Sequence, residues 1–354
     1  MKKPLPCLLA IAATLAGCGR ATAPLPAQVA AFGGGVQSRA AEPATVQNLF
    51  VSNFDTNNVT VYKPGTSKPL QTITDGMAGP YALAFDSKGN LYVADGGKGN
   101  DVEVYAPGST KVLRTLSADM DVPDAIAFDA ADNAYVANLS NNTVTEYQAG
   151  STNLVQVIVK GMSLPQKLAF DKAGKLYVLN LGLSKSSVTI YEANSSHTLL
   201  RTISAGLNYP SSFALDASNN LYVANWGGKT QGSVTVYPPR GTKPSRTITD
   251  GILRPQALAF DSAGNLYVAN QTYSGTGGNV TVYAPGKSST LRTISQGIAL
   301  PVALAFGLSG YLNVANVTYH YEHDAILEYP PGSGKLQRTV SDGVSDPDSI
   351  AFGP

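Results

Sequence analysis

From residue 49 onward the chain alternates short apolar runs with clusters of Gly, Pro, Asn, Asp and Ser. Runs such as Ala82-Leu-Ala-Phe85 and Leu91-Tyr-Val-Ala94 are β-branched or aromatic and end on turn residues, which predicts short strands joined by tight turns. No stretch holds the 3.6-residue apolar rhythm of a helix. The runs recur. Leu49-Phe-Val-Ser-Asn53 returns as Leu91-Tyr-Val-Ala-Asp95, Ala134-Tyr-Val-Ala-Asn138, Leu176-Tyr-Val-Leu-Asn180, Leu221-Tyr-Val-Ala-Asn225, Leu266-Tyr-Val-Ala-Asn270 and Leu312-Asn-Val-Ala-Asn316, at spacings of 42 to 46 residues.

Three further markers keep the same period: Pro-x-Ala-Leu-Ala-Phe-Asp segments such as 255–261, segments ending in Tyr62, Tyr105, Tyr147, Tyr191, Tyr237, Tyr283 and Tyr329, and Arg-Thr-Ile segments such as 292–294. Four strands per repeat is the period of a β-propeller blade. We name them a (Ala-Leu-Ala-Phe), b (Leu-Tyr-Val-Ala-Asn), c (Val-Thr-Val-Tyr) and d (Arg-Thr-Ile). Strands a and b are almost wholly apolar, as expected of strands covered on both faces by neighbouring blades. The first copy opens on strand b and the last ends on strand a, Ser349-Ile-Ala-Phe352. The expected fold is therefore all-β: a seven-bladed propeller of four-stranded antiparallel blades, closed by the C-terminal strand joining the N-terminal blade.

Antiparallel order puts the a-to-b and c-to-d turns on one face and the b-to-c and d-to-a connections on the other. The a-to-b turn keeps five residues in each copy that has it, from Asp86–Asn90 to Gly307–Tyr311. The b-to-c loop instead lengthens in copies four to seven, at 181–187, 226–233, 271–279 and 317–325. Variable loops on a rigid scaffold usually carry binding groups. This predicts a binding surface containing Trp226, Tyr273, Tyr319, His320, Tyr321, Glu322 and His323. Aromatic side chains bury area at low entropic cost and suit a peptide or glycan; they serve equally to cover blade edges.

The Leu-Tyr-Val-Ala-Asn and Pro-x-Ala-Leu-Ala-Phe-Asp-x-x-Gly-Asn motifs resemble the NHL and YVTN classes of bacterial propeller repeat. The resemblance spans everything after residue 46 and implies fold far more than function. Related propellers include metal-dependent lactonases and lyases that place acidic, Asn or His ligands at the axial opening. Here that opening is expected to see Tyr81, Asp124, Gln166, Lys167, Ser211 and Asp348, the variable positions after each strand-a proline. His320-Tyr-Glu322-His323-Asp324 is weak as a metal motif, because an extended backbone points His320 and His323 to opposite sides. No nucleophile elbow, phosphate loop or Cys/His pairing occurs. Neither cofactor nor metal is assigned, and a non-catalytic role is favoured over a metal-dependent lyase or lactonase. The repeated Tyr, and the Asn and Asp ending strands b and a, are explained by packing between blades and by turn geometry. Arg114, Arg201, Arg246, Arg292 and Arg338 mark the outermost strand, where charge discourages edge-to-edge association.

Upstream, Lys2 and Lys3 precede an apolar stretch from Leu5 to Ala16, which reads as an export signal. Leu15-Ala16-Gly17-Cys18 resembles the lipobox of bacterial lipoproteins. The resemblance implies cleavage before Cys18, acylation of its thiol and, with Gly19 rather than Asp following, an outer-membrane anchor. The division is thus 1–18 signal peptide, 19–46 tether rich in Ala, Pro and Gly, and 47–354 propeller. The tether's relaxed reach is about 30 Å. Cys7 and Cys18 are the only cysteines, so the mature chain has no internal disulfide. A formal net charge of +1 argues against nucleic acid, which needs a strongly basic surface. The partners expected are a membrane, through the lipid, and an unknown protein or glycan.

Overall fold

The computed structural model describes residues 47–182, 185–192, 196–228, 231–272, 277–318 and 323–354. These form seven four-stranded antiparallel sheets, each running a-b-c-d from the centre outward. Neighbouring innermost strands touch one another all round the ring. Blade 1 takes strand a from the C-terminus (Pro347–Gly353) and strand b from the N-terminus (Asn48–Asn53); blades 2 to 7 follow in chain order.

The clasp has a fixed register. Leu49 faces Phe352 and Val51 faces Ile350. Ser349 N donates to Ser52 Oγ at 2.8 Å, and Ser52 Oγ donates to the Ser349 carbonyl at 3.2 Å. A Cβ on Gly353 would lie 2.3 Å from Phe85 Cζ, so the chain end can rest on blade 2 only as glycine. The closing seam then forms an ordinary core, with Val51 and Ile350 against Ala303, Ala315 and Ile326. Burying Ile350 contributes about 1.5–3 kcal/mol, and the partly buried Phe352 adds less.

Strand b is buried throughout in blades 2 to 7, and in five seams its ring meets the strand-a Phe of the next blade edge to face, as in Phe50–Phe85 and Tyr92–Phe128, both at 4.9 Å; Leu215 replaces the Phe in blade 5 and Asn313 the ring in blade 7. The strand-c tyrosine, fully buried in every blade, donates its hydroxyl to a carbonyl in the d-to-a connection of the preceding blade: Tyr62 to Asp342 O and Tyr191 to Lys160 O at 2.6 Å, Tyr237 to Ala205 O at 2.7 Å. The repeated Tyr is thus an inter-blade tie.

The outer arginines do something other than guard the edge. Arg114 and Arg292 turn inward and donate to the Tyr92 and Tyr267 hydroxyls at 2.6 Å; Arg246 does the same to Tyr222 at 3.1 Å. Each gives a phenol buried in the seam a charged donor. Blade 3 has Gln156 at this position, and the His197 ring from blade 4 takes the place of the guanidinium, with Nε2 3.0 Å from the Tyr135 hydroxyl and Nδ1 3.9 Å from Glu146.

The face carrying the a-to-b turns, here the lower face, is internally satisfied. Asp86, Asp129, Asp216 and Asp261 each accept two backbone N–H groups and one Asn side chain within the same turn, at 2.7 to 3.0 Å. These carboxylates are turn supports, as the sequence pattern suggests.

Candidate functional site

The upper face, with the b-to-c and d-to-a connections, is built differently. Strand a is a sheet edge, where a proline at its first positions costs no ladder bond. The residue after that proline is an extra residue in the a–b ladder in all seven blades: Tyr81, Asp124, Gln166, Ser211, Gln256, Val302 and Asp348. Such bulges re-aim side chains, here at the mouth of the central opening. The residue before the proline is in left-handed conformation in five blades, as Gly79, Val122, Leu164, Tyr209 and Asp346. For Val122, at φ 52, this is strained backbone. In blades 6 and 7 the strand simply continues, and Arg254 and Leu300 pair with Gln271 and Val317.

Asparagines ending strand b hold this entrance in shape. In blades 1, 4, 5 and 6 the Asn amide donates to a strand-c threonine, while its oxygen accepts a backbone N–H from the d-to-a connection, as Asn180 does from Ser163 at 3.1 Å. Blade 2 breaks the pattern with Asp95 and Glu103 in place of Asn and Thr. Burial pushes Asp95 up to about 6, with Asp101 adding to it. Burial likewise raises Glu103 to about 7, helped by Asp101, Asp95 and Asp75.

The structure brings together four of the six predicted axial residues. Asp348 (blade 1), Tyr81 (blade 2), Asp124 (blade 3) and Lys167 (blade 4) act on one another electrostatically although they come from four blades. Asp124 and Asp348 couple across the intervening blade 2, which places both at the shared central space. Burial holds the Asp124 carboxyl well above the usual carboxylate range against the pull of Lys167. Asp348 is raised by burial and then by Asp346, Asp124 and Asp55. Burial draws the Lys167 amine down to about 7 despite Asp124. Tyr81 is wedged between the Phe54 ring, stacked at 5.3 Å, and Gly96, where a Cβ would lie 2.4 Å from the Tyr81 ring.

The remaining axial positions diverge. Ser211 spends its hydroxyl on the Pro255 carbonyl at 2.5 Å and so ties blade 5 to blade 6. Gln166 is buried at its bulge. Lys167 is not a bulge residue; it stands one place later, opposite Leu179, where blades 2, 3 and 6 have Ala. Sequence reasoning overlooked Gln256 and Val302, although the repeated proline marks both; Val302 turns into the closing seam, whereas Gln256 is 4 % exposed with Oε1 lacking a hydrogen-bond partner.

Of the predicted loop surface, Trp226 stands on the upper face, half-buried, with the Arg254 guanidinium 3.6 Å above its ring. Tyr209, 52 % exposed, rests on Gly228 beside it. Neither Tyr209 nor Arg254 was anticipated from the sequence. His323 is exposed and its backbone N–H reaches Thr318 Oγ1 at 3.3 Å. Tyr273, Tyr319, His320, Tyr321, Glu322 and Cys18 lie outside the described residues.

No protein-family model matches the chain, and no curated protein is similar in sequence. Among solved structures 1244 chains are similar. One is the crystal structure of a functionally unknown protein from Desulfotomaculum acetoxidans DSM 771, with a TM-score of 0.70 and 14% identity, covering 86% of this chain and 98% of that one. The chain is a seven-bladed β-propeller. A likeness at 14% identity carries the shape and no activity, and no family model supports the finer NHL or YVTN resemblance.

Proposed function

We propose that the propeller is a non-catalytic binding scaffold of the cell envelope that takes a protein or glycan on its upper face. The observation carrying this reading is the asymmetry of the disc: the lower-face turns satisfy their own polar groups, while the upper face presents the Trp226–Arg254 stack, Tyr209 and a ring of inward-aimed polar side chains. An aromatic rim beside a polar opening is the usual make-up of a recognition surface. The Cys18 lipid and the tether would hold that face clear of an outer membrane. A Cys18→Ser chain should then leave the membrane fraction. Replacing both Trp226 and Tyr273 by Ala should abolish capture of the ligand found by surface crosslinking or on a glycan array, with the melting temperature preserved. Unchanged capture would overturn the reading. Catalysis by a metal-dependent lyase or lactonase is the competing reading, and stoichiometric metal in the purified protein would favour it.

A further inference from the structure

We propose that Met77, Met120 and Met162 are oxygen-accepting modification sites, and that a peroxide converting their thioethers to sulfoxides loosens three consecutive ties between blades beneath the upper face. The inference is independent of which ligand that face takes.

The first observation is a regularity of the chain. Apart from Met1 it has three methionines, and each stands three places before the proline that opens a strand a: Met77 before Pro80, Met120 before Pro123 and Met162 before Pro165. They lead into blades 2, 3 and 4, which adjoin one another in the ring. The same place ahead of the other four blades holds Leu207, Ile252, Ile298 and Val344. Methionine is a flexible filler of gaps, yet a branched side chain fills this place in the rest of the ring, so packing alone does not call for a thioether. Met77, Met120 and Met162, like Leu207, are partly exposed, whereas Ile252, Ile298 and Val344 are buried. Partial exposure is what a small oxidant needs to approach without unfolding the ring.

The second observation is what each methionine lies beside. It follows by two places the carbonyl that accepts the inter-blade tie of a strand-c tyrosine: Tyr105 to Asp75 O, Tyr147 to Ala118 O and Tyr191 to Lys160 O. Each methionine also packs on the same apolar cluster as that tyrosine. At the third seam the contact is direct. The Tyr191 hydroxyl donates to Lys160 O at 2.6 Å and stands 3.7 Å from Met162 Sδ.

The reaction is an oxygen-atom transfer. A sulfur lone pair attacks one oxygen of hydrogen peroxide, the S–O bond forms as the O–O bond breaks, and sulfur is oxidised by two electrons while the peroxide is reduced. The departing hydroxide takes the proton of the transferred oxygen and leaves as water. The product exchanges a weak acceptor for a strongly polar one. A sulfoxide oxygen beside Tyr191 competes with Lys160 O for the single phenolic proton, and where it wins no donor it sets a polar oxygen against an apolar cluster. Either outcome weakens the seam. The connections affected are those that aim Tyr81, Asp124 and Lys167 at the opening.

The test treats the intact purified chain with hydrogen peroxide beside a triple variant carrying Met77→Leu, Met120→Leu and Met162→Leu, leucine being the residue that blade 5 uses at Leu207. Peptide mass mapping should find one added oxygen on each of the three methionines. The parent's melting temperature should fall by about 5 °C, and the variant's should not move. Hydrogen exchange should quicken by about tenfold in 75–80, 118–123 and 160–165 and stay as it was in 250–255 and 296–301. Methionine sulfoxide reductases should restore the parent's melting temperature. Should the triple variant fold poorly, Met162→Leu alone decides, because it should spare 160–165 and leave the other two segments sensitive. An oxidised parent that melts and exchanges like the untreated protein would overturn the proposal, as would methionines that resist peroxide in the folded chain or an equal loss in the leucine variant.

Discussion

The two faces of the disc are made by the same seven repeats, yet the a-to-b turns of one supply donors to their own carboxylates and the entrance of the other leaves Asp124 Oδ2 and Gln256 Oε1 without partners. On the lower face, Asp216 accepts from Ser218 N, Asn220 N and Asn220 Nδ2, all within 2.9 Å and all inside one turn. On the upper face, Asp124 and Asp348 stand among like charges, and Asp124 keeps a partnerless oxygen. Identical residue types thus stabilise in the lower turns, which bring donors with them, and cost stability at Asp124, where one carboxyl oxygen has none. Retained cost in an otherwise regular ring is what supports the proposal of the upper face as the binding face.

The largest perturbation removes both faces at once. Deleting residues 346–354 takes strand a from blade 1 and exposes two seams, so the cooperative melting transition should disappear; a truncated protein that melts like the parent would break the clasp argument. Next in size is His197→Ala, which removes the buried ring bonded to the Tyr135 hydroxyl and packed on its ring, and should cost about 1–3 kcal/mol in denaturant unfolding. An intermediate effect separates the faces directly. Asp216→Ala should destabilise by about 1–2 kcal/mol through its lost turn bonds, whereas Asp348→Asn should leave stability at pH 7 equal or higher. If both variants lose stability alike, the contrast between faces fails.

A smaller effect is set by pH. Asp95 and Glu103 titrate near 6 and 7 in the folded protein, above their ordinary values of 3.8 and 4.5. The folded state therefore holds protons that the unfolded chain has already released, and the stability associated with them falls as pH rises from about 4 through 7. Melting temperature should be higher at pH 5 than at pH 7, and Glu103→Gln should flatten that slope. The smallest expected change is Trp226→Ala, within about 0.5 kcal/mol of the parent because the ring is only half-buried at the surface; a large loss would make it a structural cap.

Much of the architecture was legible in the chain. The recurring strand-b and strand-a motifs gave the blade number, and the missing halves at the two ends gave the clasp, since a strand lacking its partner must find it at the other terminus. The site was legible only in part. The proline before each bulge pointed to the axial positions, but one-dimensional spacing could not say that Ser211 would spend its hydroxyl on blade 6 or that Val302 would turn into a seam. Tyr209 and Arg254 look like ordinary loop residues until the fold sets them beside Gly228 and Trp226. The outer arginines Arg114, Arg246 and Arg292, likewise, appear as edge charges until the fold returns their guanidiniums to Tyr92, Tyr222 and Tyr267.

What the amino-acid order settled by itself is periodic and local: the strands, the turn chemistry and the positions of the repeated buried residues, because these depend on neighbours within about 45 residues. What only the closed ring decided is which side chains from different blades share one space. Asp348, Tyr81, Asp124 and Lys167 span 268 positions of sequence, and nothing along the chain brings them together. Their mutual repulsion and attraction exist because seven blades point their first strands at a single axis, where desolvation turns distant residues into one electrostatic unit.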